Sequence, residues 1–293
     1  MSELKALTRQ VKGRLIEFPD RPLIMGVVNV TPDSFYDGGR YFDASAAVDH
    51  AVQLVEEGAD LLDIGAESTR PGADVVDESE ERRRAIPVVT AVAKAVTVPI
   101  SIDSSKAAVA RAALDAGAAL VNDVTALQGD PAMADVIAQS KAGIVLMHMQ
   151  GTPRTMQQVP RYDDVVEEVS EFFEERIRFA TAHGIVQRQI ILDPGIGFGK
   201  LLTHNLELIA RLSRFLQLGC PLLVGVSQKA FLGQLVGRPV QERQWATAAA
   251  VAMAVDRGAG IIRVHDVKAM KDVVQVAAAI GRRTVESMKA HHA

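Results

Sequence analysis

The repeating unit that decides the fold is clearest in residues 100–122, which read ISIDSSKAAVARAALDAGAALVN. The short apolar runs Ile100–Ile102 and Leu120–Val121 flank a segment, Ser105–Ala116, whose apolar residues recur at helical spacing. Gly117 follows that segment and tolerates the left-handed conformation in which helices commonly end. The unit therefore predicts a strand, a helix and a second strand, and a crossover of this kind joins parallel strands.

Eight such apolar runs recur along the chain, and helix-like segments separate most of them. The polar residues that follow the runs are Asn29, Glu67, Asp103, Asn122, His148, Asp193, Lys229, Arg263 and His265. In a closed parallel barrel all strand ends meet at one mouth, where such enzymes place their chemistry. We therefore predict an α/β protein with a single (β/α)8 TIM barrel and a binding site at that mouth. A short N-terminal β-hairpin is predicted around Val11–Phe18. Helices are predicted at Ala44–Glu57, Ser105–Ala116, Asp163–His183, Gln241–Arg257 and Lys268–Lys289.

The composition fits one domain spanning residues 1–293, with its core at about 22–290. Apolar residues make up 48% of the chain and aromatic residues only 4%, so small aliphatic side chains are expected to fill the interior. The formal charge of −4 and the scattered basic residues argue against a nucleic-acid partner. No run approaches the ~20 apolar residues that span a bilayer, and no signal peptide is evident. We expect a cytoplasmic protein with no membrane partner, in which the single Cys220 is buried.

Three connections after strands are long: Asn29–Phe42, Gly65–Glu78 and His148–Tyr162. Loops of that length in a compact domain are usually functional or mobile, and the aromatic residues in the first suggest a closing lid. Asn29 offers a neutral oxygen that suits Mg²⁺ together with phosphate oxygens. Arg70 in the second loop carries a guanidinium group, which can bind phosphate or carboxylate through two parallel hydrogen bonds. The spacing fits a solvated arginine equally well.

The remaining candidate residues lie in the second half of the chain. The glycine turn within Asp193–Lys200 is neither a P-loop nor a dinucleotide fingerprint, because its glycine spacing fails both. Lys229 precedes a segment that can open a helix, whose N–H groups can bind an anion. Arg263 and His265 occupy alternate strand positions and can point to the same side. His148, between two methionines, is interpreted as structural.

The motifs, taken in order, resemble the dihydropteroate synthase family from about Pro22 to Val274. The matching stretches are Asn29-Val-Thr-Pro-Asp-Ser-Phe, Glu67-Ser-Thr-Arg-Pro-Gly, Ser101-Ile-Asp103, Asn122-Asp123, Leu192-Asp-Pro-Gly, Ser227-x-Lys229 and Arg263-x-His265. This family joins 6-hydroxymethyl-7,8-dihydropterin diphosphate to 4-aminobenzoate and releases diphosphate. The resemblance implies a dissociative mechanism in which a pterin cation forms before the aniline nitrogen captures it. It also implies Mg²⁺ as cofactor and a homodimer built on helices late in the chain.

The resemblance further assigns residues to the two substrates. Pterin binding is implied for Asp103, Asn122, Met147, Asp193 and Lys229. Diphosphate binding is implied for Asn29, Arg70, Arg263 and His265, with Mg²⁺ at Asn29. Aminobenzoate binding is implied for Phe35, Thr69, Pro71, Phe198 and Ala230. Catalytic roles are implied for Asp37, Arg70 and Lys229.

Two departures and two alternatives bear on the activity. The family usually has Ser-Arg-Lys-Ser where this chain has Ser227–Ala230. Gln228 thus replaces a permanent cation with a neutral amide, and Ala230 lacks the hydroxyl that helps to bind the aminobenzoate carboxylate in the family. Weaker aminobenzoate binding and altered sulfonamide sensitivity are the expected consequences. One alternative is a barrel methyltransferase that passes a methyl group from methyltetrahydrofolate to a corrinoid, which would need no diphosphate pocket. The other is a non-catalytic paralogue, against which the complete pterin and diphosphate sets argue.

Overall fold

The structure is a computed structural model that describes residues 9–11, 14–16, 21–30, 44–68, 72–73 and 75–290, with only the backbone of 9–16 and 282–290. The first two strands, β1 (Arg9–Val11) and β2 (Arg14–Ile16), pair antiparallel. This confirms the predicted N-terminal hairpin, slightly earlier than the alternation in the sequence indicated. Strand β1 lies beside a 3-10 turn at Gln187–Gln189, which precedes one of the barrel strands.

The other strands form one parallel sheet of eight. They are β3 (Leu23–Asn29), β4 (Leu61–Gly65), β5 (Ile100–Asp103), β6 (Leu120–Asp123), β7 (Gly143–Met147), β8 (Ile190–Asp193), β9 (Leu223–Val224) and β10 (Ile261–Val264). Strands β3 to β8 pair in chain order, while β10 pairs with β3 on one side and with β9 on the other. A parallel bridge between Leu192 and Leu222 closes the ring between β8 and β9. The predicted (β/α)8 barrel is confirmed.

Helices surround the sheet and cover its outer face. The described helices are α1 (Ala44–Glu57), α2 (Glu78–Ala95), α3 (Ala107–Asp115), α4 (Met133–Ser140), α5 (Val165–Ala182), α6 (Leu202–Ala210), α7 (Ala230–Val236), α8 (Gln244–Asp256) and α9 (Val267–Ala290). The predicted segments agree with α1, α3, α5, α8 and α9 to within about three residues at each end. Helix α2 was not predicted, because its many charged residues and Pro87 weaken the helical pattern of its apolar residues. Its buried face is narrow and includes Val88, Val89 and Val92.

The inside of the barrel is filled in two layers that differ in chemistry. The lower layer is an apolar cluster made of Leu23, Met25, Leu61, Ala119, Leu120, Val145, Ile191, Leu223 and Ile261. Side chains two positions apart on a strand point to the same face. The residues that follow this layer by two positions include Asp63, Asn122, Met147, Asp193 and Arg263, four of which are polar. The sequence therefore places a water-excluding plug below and a polar layer above, at the C-terminal ends of the strands.

Two further expectations concern burial. Cys220 is buried, as predicted for a small apolar filler. None of the helices in the described part of the chain combines the length and the hydropathy needed to cross a bilayer. The cytoplasmic location and the extent of the domain over residues 1–293 stay predictions.

Candidate active site

A cavity opens at the C-terminal mouth of the barrel. Its lining consists of Asp103, Asn122, Val124, Met147, Asp193, Ile196, Phe198, Gly225, Lys229 and Arg263. Seven of these residues were predicted from the sequence; Val124, Ile196 and Gly225 were not, because small apolar residues at strand ends carry no chemical signal. Two carboxylates, an amide, an ammonium and a guanidinium thus face one space with apolar walls, the composition typical of a small-molecule site.

Strand register brings the predicted residues together. Asp103 lies opposite Asn122 across β5 and β6, and Met147 lies opposite Asp193 across β7 and β8. Paired residues in neighbouring strands are about 5 Å apart, so each pair forms one continuous patch of the cavity wall.

Arg263 is held by two carboxylates at the rim of β10. Its Nε donates to Asp63 Oδ2 at 2.7 Å, and a terminal nitrogen donates to Asp103 Oδ2 at 3.1 Å. Burial disfavours the charged guanidinium, but the two carboxylates outweigh that effect and raise the pKa of Arg263. Burial, reinforced by the neighbouring charge of Asp63, raises the pKa of Asp103, while Arg263 opposes the rise. Two carboxylates therefore share one guanidinium at this point of the mouth.

Lys229 and Phe198 form a second contact across the cavity. The ammonium of Lys229 lies 4.0 Å from the centroid of the Phe198 ring, a cation–π arrangement. Although the lysine is only half-buried, desolvation lowers its pKa to about 8, and Arg263 adds to the decrease. Burial also raises the pKa of Asp193, whereas the N–H of Gly195 and the charge of Lys229 counteract the rise. Lys229 is thus a cation that can give up its proton near physiological pH.

Hydrogen bonds hold the glycine turn that follows β8, within Asp193–Lys200, in place. Gly195 has φ +66, and its N–H donates to Asp193 Oδ1 at 2.8 Å. The buried ammonium of Lys200 donates to the carbonyl oxygens of Phe198 and His148, at 2.9 and 3.2 Å, and lies 2.9 Å from His148 Nδ1. These bonds join the turn to the loop that begins at His148, so that His148 has structural contacts, as its setting in the sequence suggested.

Three predicted residues lie near the mouth but outside the cavity lining. Asn29 ends β3 and is half-buried. His265 follows β10, where its Nδ1 lies 3.0 Å from Ser227 Oγ. Ala230 is exposed at the first position of α7. The other predicted residues, Phe35, Asp37, Thr69, Arg70 and Pro71, lie outside the described residues.

Gln228, the other departure from the family pattern, turns away from the cavity. It is exposed and has φ +58. Thr247 Oγ1 accepts its N–H at 3.2 Å, and Arg243 donates to its carbonyl oxygen at 3.1 Å. The turn that presents Lys229 is therefore held through its backbone, and the Gln228 side chain is not part of the cavity wall.

Two buried charges, Asp63 and Lys200, and the half-buried Lys106 were not identified as important in the sequence. Asp63 lies within a run that the sequence identifies only as an apolar strand. Lys200 was considered only as the last residue of a glycine turn that does not match a phosphate-binding loop. Lys106 binds Glu67 Oε2 and Glu81 Oε2, both at 2.5 Å. Glu67 Oε1 also accepts the N–H of Val76, so Glu67 anchors the second long loop and is absent from the cavity lining. For Asp63, the available signal was a charged residue inside an apolar strand, but its partners Asn122 and Arg263 are distant in sequence.

Comparison with known proteins identifies the class. Residues 25–265 match the family described as pterin binding enzyme. The dihydropteroate synthase of Escherichia coli K12 is 46% identical over 255 residues, which cover 87% of this chain and 90% of that protein. The structure of Xanthomonas albilineans dihydropteroate synthase with 4-aminobenzoic acid superimposes with a TM-score of 0.88 at 46% identity, covering 94% of this chain and 98% of that one. The same enzyme in complex with 7,8-dihydropteroate gives 0.84 at 44% identity, with 93% and 98% coverage.

The cavity, with its acceptors and its lysine, is thus the site of a pterin-binding barrel enzyme. Within that class the chain belongs to the dihydropteroate synthase family, whose members are transferases. The resemblance expected from the sequence motifs is confirmed over nearly the whole chain.

Proposed function

We propose that this cavity binds 6-hydroxymethyl-7,8-dihydropterin diphosphate and joins it to 4-aminobenzoate, giving 7,8-dihydropteroate and diphosphate. The observation that carries the proposal is the convergence of Asp103, Asn122, Asp193 and Lys229 on one apolar-walled space. The edge of a pterin carries adjacent N–H donors, for which two carboxylates and an amide oxygen are suitable acceptors. Its ring oxygen and neighbouring nitrogen are acceptors that suit the Lys229 ammonium.

The pterin subsite gains most from the bonds that involve charge. Asp193 accepts the paired N–H donors of the ring, while Asp103 and Asn122 face the other ring nitrogens. Met147 and Ile196 supply apolar contact in the cavity wall. A hydrogen bond to a charged group contributes roughly 1.5–3 kcal/mol, so a small number of such bonds accounts for selective binding of this flat heterocycle.

The chemical step is the departure of diphosphate before the new bond forms. The carbon–oxygen bond to the leaving group breaks with both electrons going to oxygen, and the nitrogen of 4-aminobenzoate then attacks the resonance-stabilised pterin cation and loses a proton. The carboxylates stabilise the cation, whereas Arg263, His265 and Arg70 stabilise the departing anion. The protein supplies fixed charges and excludes water, and no nucleophilic side chain is required.

The aminobenzoate subsite lies towards the outer rim. Phe198, held over Lys229, offers a flat face for the ring, and Ala230 at the start of α7 marks the position for the carboxylate. Phe35, Thr69 and Pro71 of the two long loops complete this subsite in the proposal. Asp37 and Arg70 act from the same loops on the reacting groups, together with Lys229.

Mg²⁺ is the proposed cofactor, bound by Asn29 and the diphosphate. Within the described part of the chain no group of three or more His, Cys, Asp or Glu side chains could hold a metal, so an all-protein cage is not a candidate there. Asn29 fits a different arrangement, because Mg²⁺ is commonly bound by one or two protein oxygens together with substrate phosphates. The ion would neutralise charge on the leaving diphosphate.

We also propose a homodimer that uses α8 and α9. The exposed large apolar side chains include Trp245 and Met253 on α8 and Val276 and Ile280 on α9. Trp245 is 81% exposed. Clusters of exposed apolar residues commonly mark protein–protein interfaces, and these two helices also contact each other.

The decisive experiment follows release of diphosphate in a coupled assay and detects 7,8-dihydropteroate by mass spectrometry. Product is expected only when both substrates and Mg²⁺ are present, and Asp193→Asn is expected to raise the KM for the pterin substrate. Methyl transfer from methyltetrahydrofolate to a corrinoid, without release of diphosphate, would refute the proposal. Complete inactivity with intact pterin binding would favour the non-catalytic paralogue.

A further inference from the structure

Asp63 is a carboxylate in the middle of a barrel strand, and it is completely buried. An ionised carboxylate in the interior is costly unless charged or hydrogen-bonding partners compensate for its lost hydration. Two partners do so, both at Oδ2: Arg263 Nε at 2.7 Å and Asn122 Nδ2 at 2.9 Å. The two partners come from strands on either side of the barrel, and both line the cavity.

The bond to Asn122 fixes which end of that amide is available. An ionised carboxylate only accepts hydrogen bonds, so the amide must point its NH₂ group at Asp63. The carbonyl oxygen, Asn122 Oδ1, is then buried with no hydrogen-bond partner among the described residues. A buried unpaired acceptor in the wall of a binding cavity is ready to take an N–H donor from a ligand. Asp63 therefore determines that Asn122 presents an acceptor.

The bond to Arg263 fixes the guanidinium. Asp63 engages Nε, and Asp103, on the neighbouring strand, engages a terminal nitrogen. Two separate contacts on one planar group restrict both its position and its tilt. The remaining N–H groups are consequently held at the rim of the cavity, where a leaving anion would depart.

We propose that Asp63 is a positioning residue of this active site: it orients the Asn122 amide towards the pterin and clamps Arg263 for the departing diphosphate. The inference rests on the proposed function, because it assigns the pterin to this cavity. Asp63 does not line the cavity itself, so its effect is transmitted through the two side chains that it holds.

The test compares two identical chemical changes three residues apart, one within β4 and one just before it. Asp63→Asn removes the charge below the mouth. Asp60→Asn is the matched control, since Asp60 also pairs with an arginine, Arg21, at 2.7 and 2.8 Å, but lies just before the same strand and does not line the cavity. Steady-state kinetics and direct binding of the pterin diphosphate are measured for both variants across pH.

Asp63→Asn is expected to raise the KM and Kd for the pterin substrate by about tenfold or more, as expected for a misdirected hydrogen bond to a charged group. The KM for 4-aminobenzoate is expected to stay within about twofold, because the hydrogen bonds of Asp63 go to Arg263 and Asn122 and not to Phe198 or Ala230. The acid limb of the kcat/KM profile is expected to move to lower pH, since a negative charge beside Asp103 is removed. The other charges around Asp103, namely Arg263, Glu81 and Asp123, remain. Asp60→Asn is expected to change none of these quantities.

Exchanging the carboxylate at position 63 with the amide at position 122 distinguishes a positioning role of Asp63 from a contribution to stability alone. In Asp63→Asn/Asn122→Asp the amide and the carboxylate exchange places, which retains the bond between positions 63 and 122 and an acceptor facing the cavity. The swap is expected to bind the pterin diphosphate within about threefold of the native protein, whereas Asn122→Asp alone, which sets two carboxylates side by side, binds at least about tenfold more weakly. This comparison decides the matter even if Asp63→Asn alone does not fold.

The proposal is overturned if Asp63→Asn matches Asp60→Asn in pterin affinity and pH profile, or if the swap is no better than Asn122→Asp in folding or binding. Pterin binding and product formation by the native protein distinguish a failure of the proposed reaction from a failure of the role assigned to Asp63. If it binds the pterin but forms no product, the proposed reaction fails while pterin Kd values still decide the role of Asp63. If it binds no pterin, both inferences fail.

Discussion

Replacing Gly195 by alanine is the sharpest test of how the fold supports the site. The residue has φ +66, and a Cβ placed on it would lie 1.9 Å from the carbonyl oxygen of His148. Ordinary carbon–oxygen contacts are about 3.3 Å or longer, so the peptide has to shift by more than an ångström. Gly237 is a matched control, because it also has φ +66 but has nothing within 4 Å of its Cβ position.

The magnitude follows from the bonds that the shift would break. A non-glycine residue in the left-handed region costs about 1–2 kcal/mol, and both variants carry that cost. At Gly195 the shift also breaks its N–H bond to Asp193 Oδ1 and strains the bond from His148 N–H to the Asp193 carbonyl. Those bonds are worth roughly 1.5–3 and 0.5–1.5 kcal/mol. We therefore expect Gly195→Ala to lower the free energy of unfolding by about 2–4 kcal/mol more than Gly237→Ala.

Urea denaturation monitored by circular dichroism measures the stability difference, and steady-state kinetics measures the effect on the site. Since Gly195 positions the Asp193 carboxylate and the turn that carries Phe198, Gly195→Ala is expected to raise the KM for the pterin substrate by at least about tenfold. Gly237→Ala is expected to leave that KM unchanged. Equal stability of the two variants with an unaltered pterin KM would refute the reasoning.

Three more outcomes are expected. Ala230→Ser should lower the KM for 4-aminobenzoate and leave the pterin KM unchanged; no change in either constant counts against the assigned subsite. Burial lowers the pKa of Lys200 to about 7 from 10.5, so between these values the unfolded chain binds one more proton and stability rises with pH. Lys200→Met should remove that slope of about 1.4 kcal/mol per pH unit, as urea midpoints at several pH values will show; identical slopes would exclude a neutral buried amine. Trp245→Glu should yield monomers in sedimentation experiments, and an unchanged mass would place the interface elsewhere.

Most of the fold could be predicted from the sequence, because the continuous apolar runs of the strands and the helical spacing of apolar residues occur in separate segments. Short apolar runs such as Ile100–Ile102 are buried on both faces, and segments such as Ala44–Glu57 are amphipathic at helical spacing, so strand and helix were separable. Helix α2 was missed because its exposed face outweighs its buried stripe. Its first turn nevertheless has a clear cap, since Asp77 accepts the N–H of Glu80, and that cap was the better signal.

The candidate site was predictable where chemistry and strand position coincide. Asp103, Asn122 and Asp193 stand at the ends of strands, and in a barrel the topology alone brings strand ends together. What the sequence could not provide was the pairing between them. Arg263 was assigned to an anion, yet in the structure two of its bonds go to Asp63 and Asp103.

Distance along the chain explains why such pairings stay hidden. The contact between Asp63 and Arg263 joins residues 200 positions apart, and that between Asp63 and Asn122 joins residues 59 apart. The first contact follows from the pairing of β10 with β3, which brings β10 near β4. The second follows from the curvature of the sheet, which brings β6 within reach of β4 across β5. No local pattern encodes them, although alternation along β4 does place Asp63 on the same face as the plug residue Leu61.

A charged residue on the inner face of an otherwise apolar barrel strand therefore has a general implication. Its hydration is lost on folding, so the ring must supply a partner from another strand. When the partners themselves line a cavity, as Asn122 and Arg263 do here, the buried charge organises the site from beneath while the apolar layer below it keeps water out. Removing that charge alone takes away the compensation of its buried partners and is expected to destabilise the barrel. It also releases both cavity side chains, which is why the Asp63 variants must be judged on pterin affinity as well as on stability.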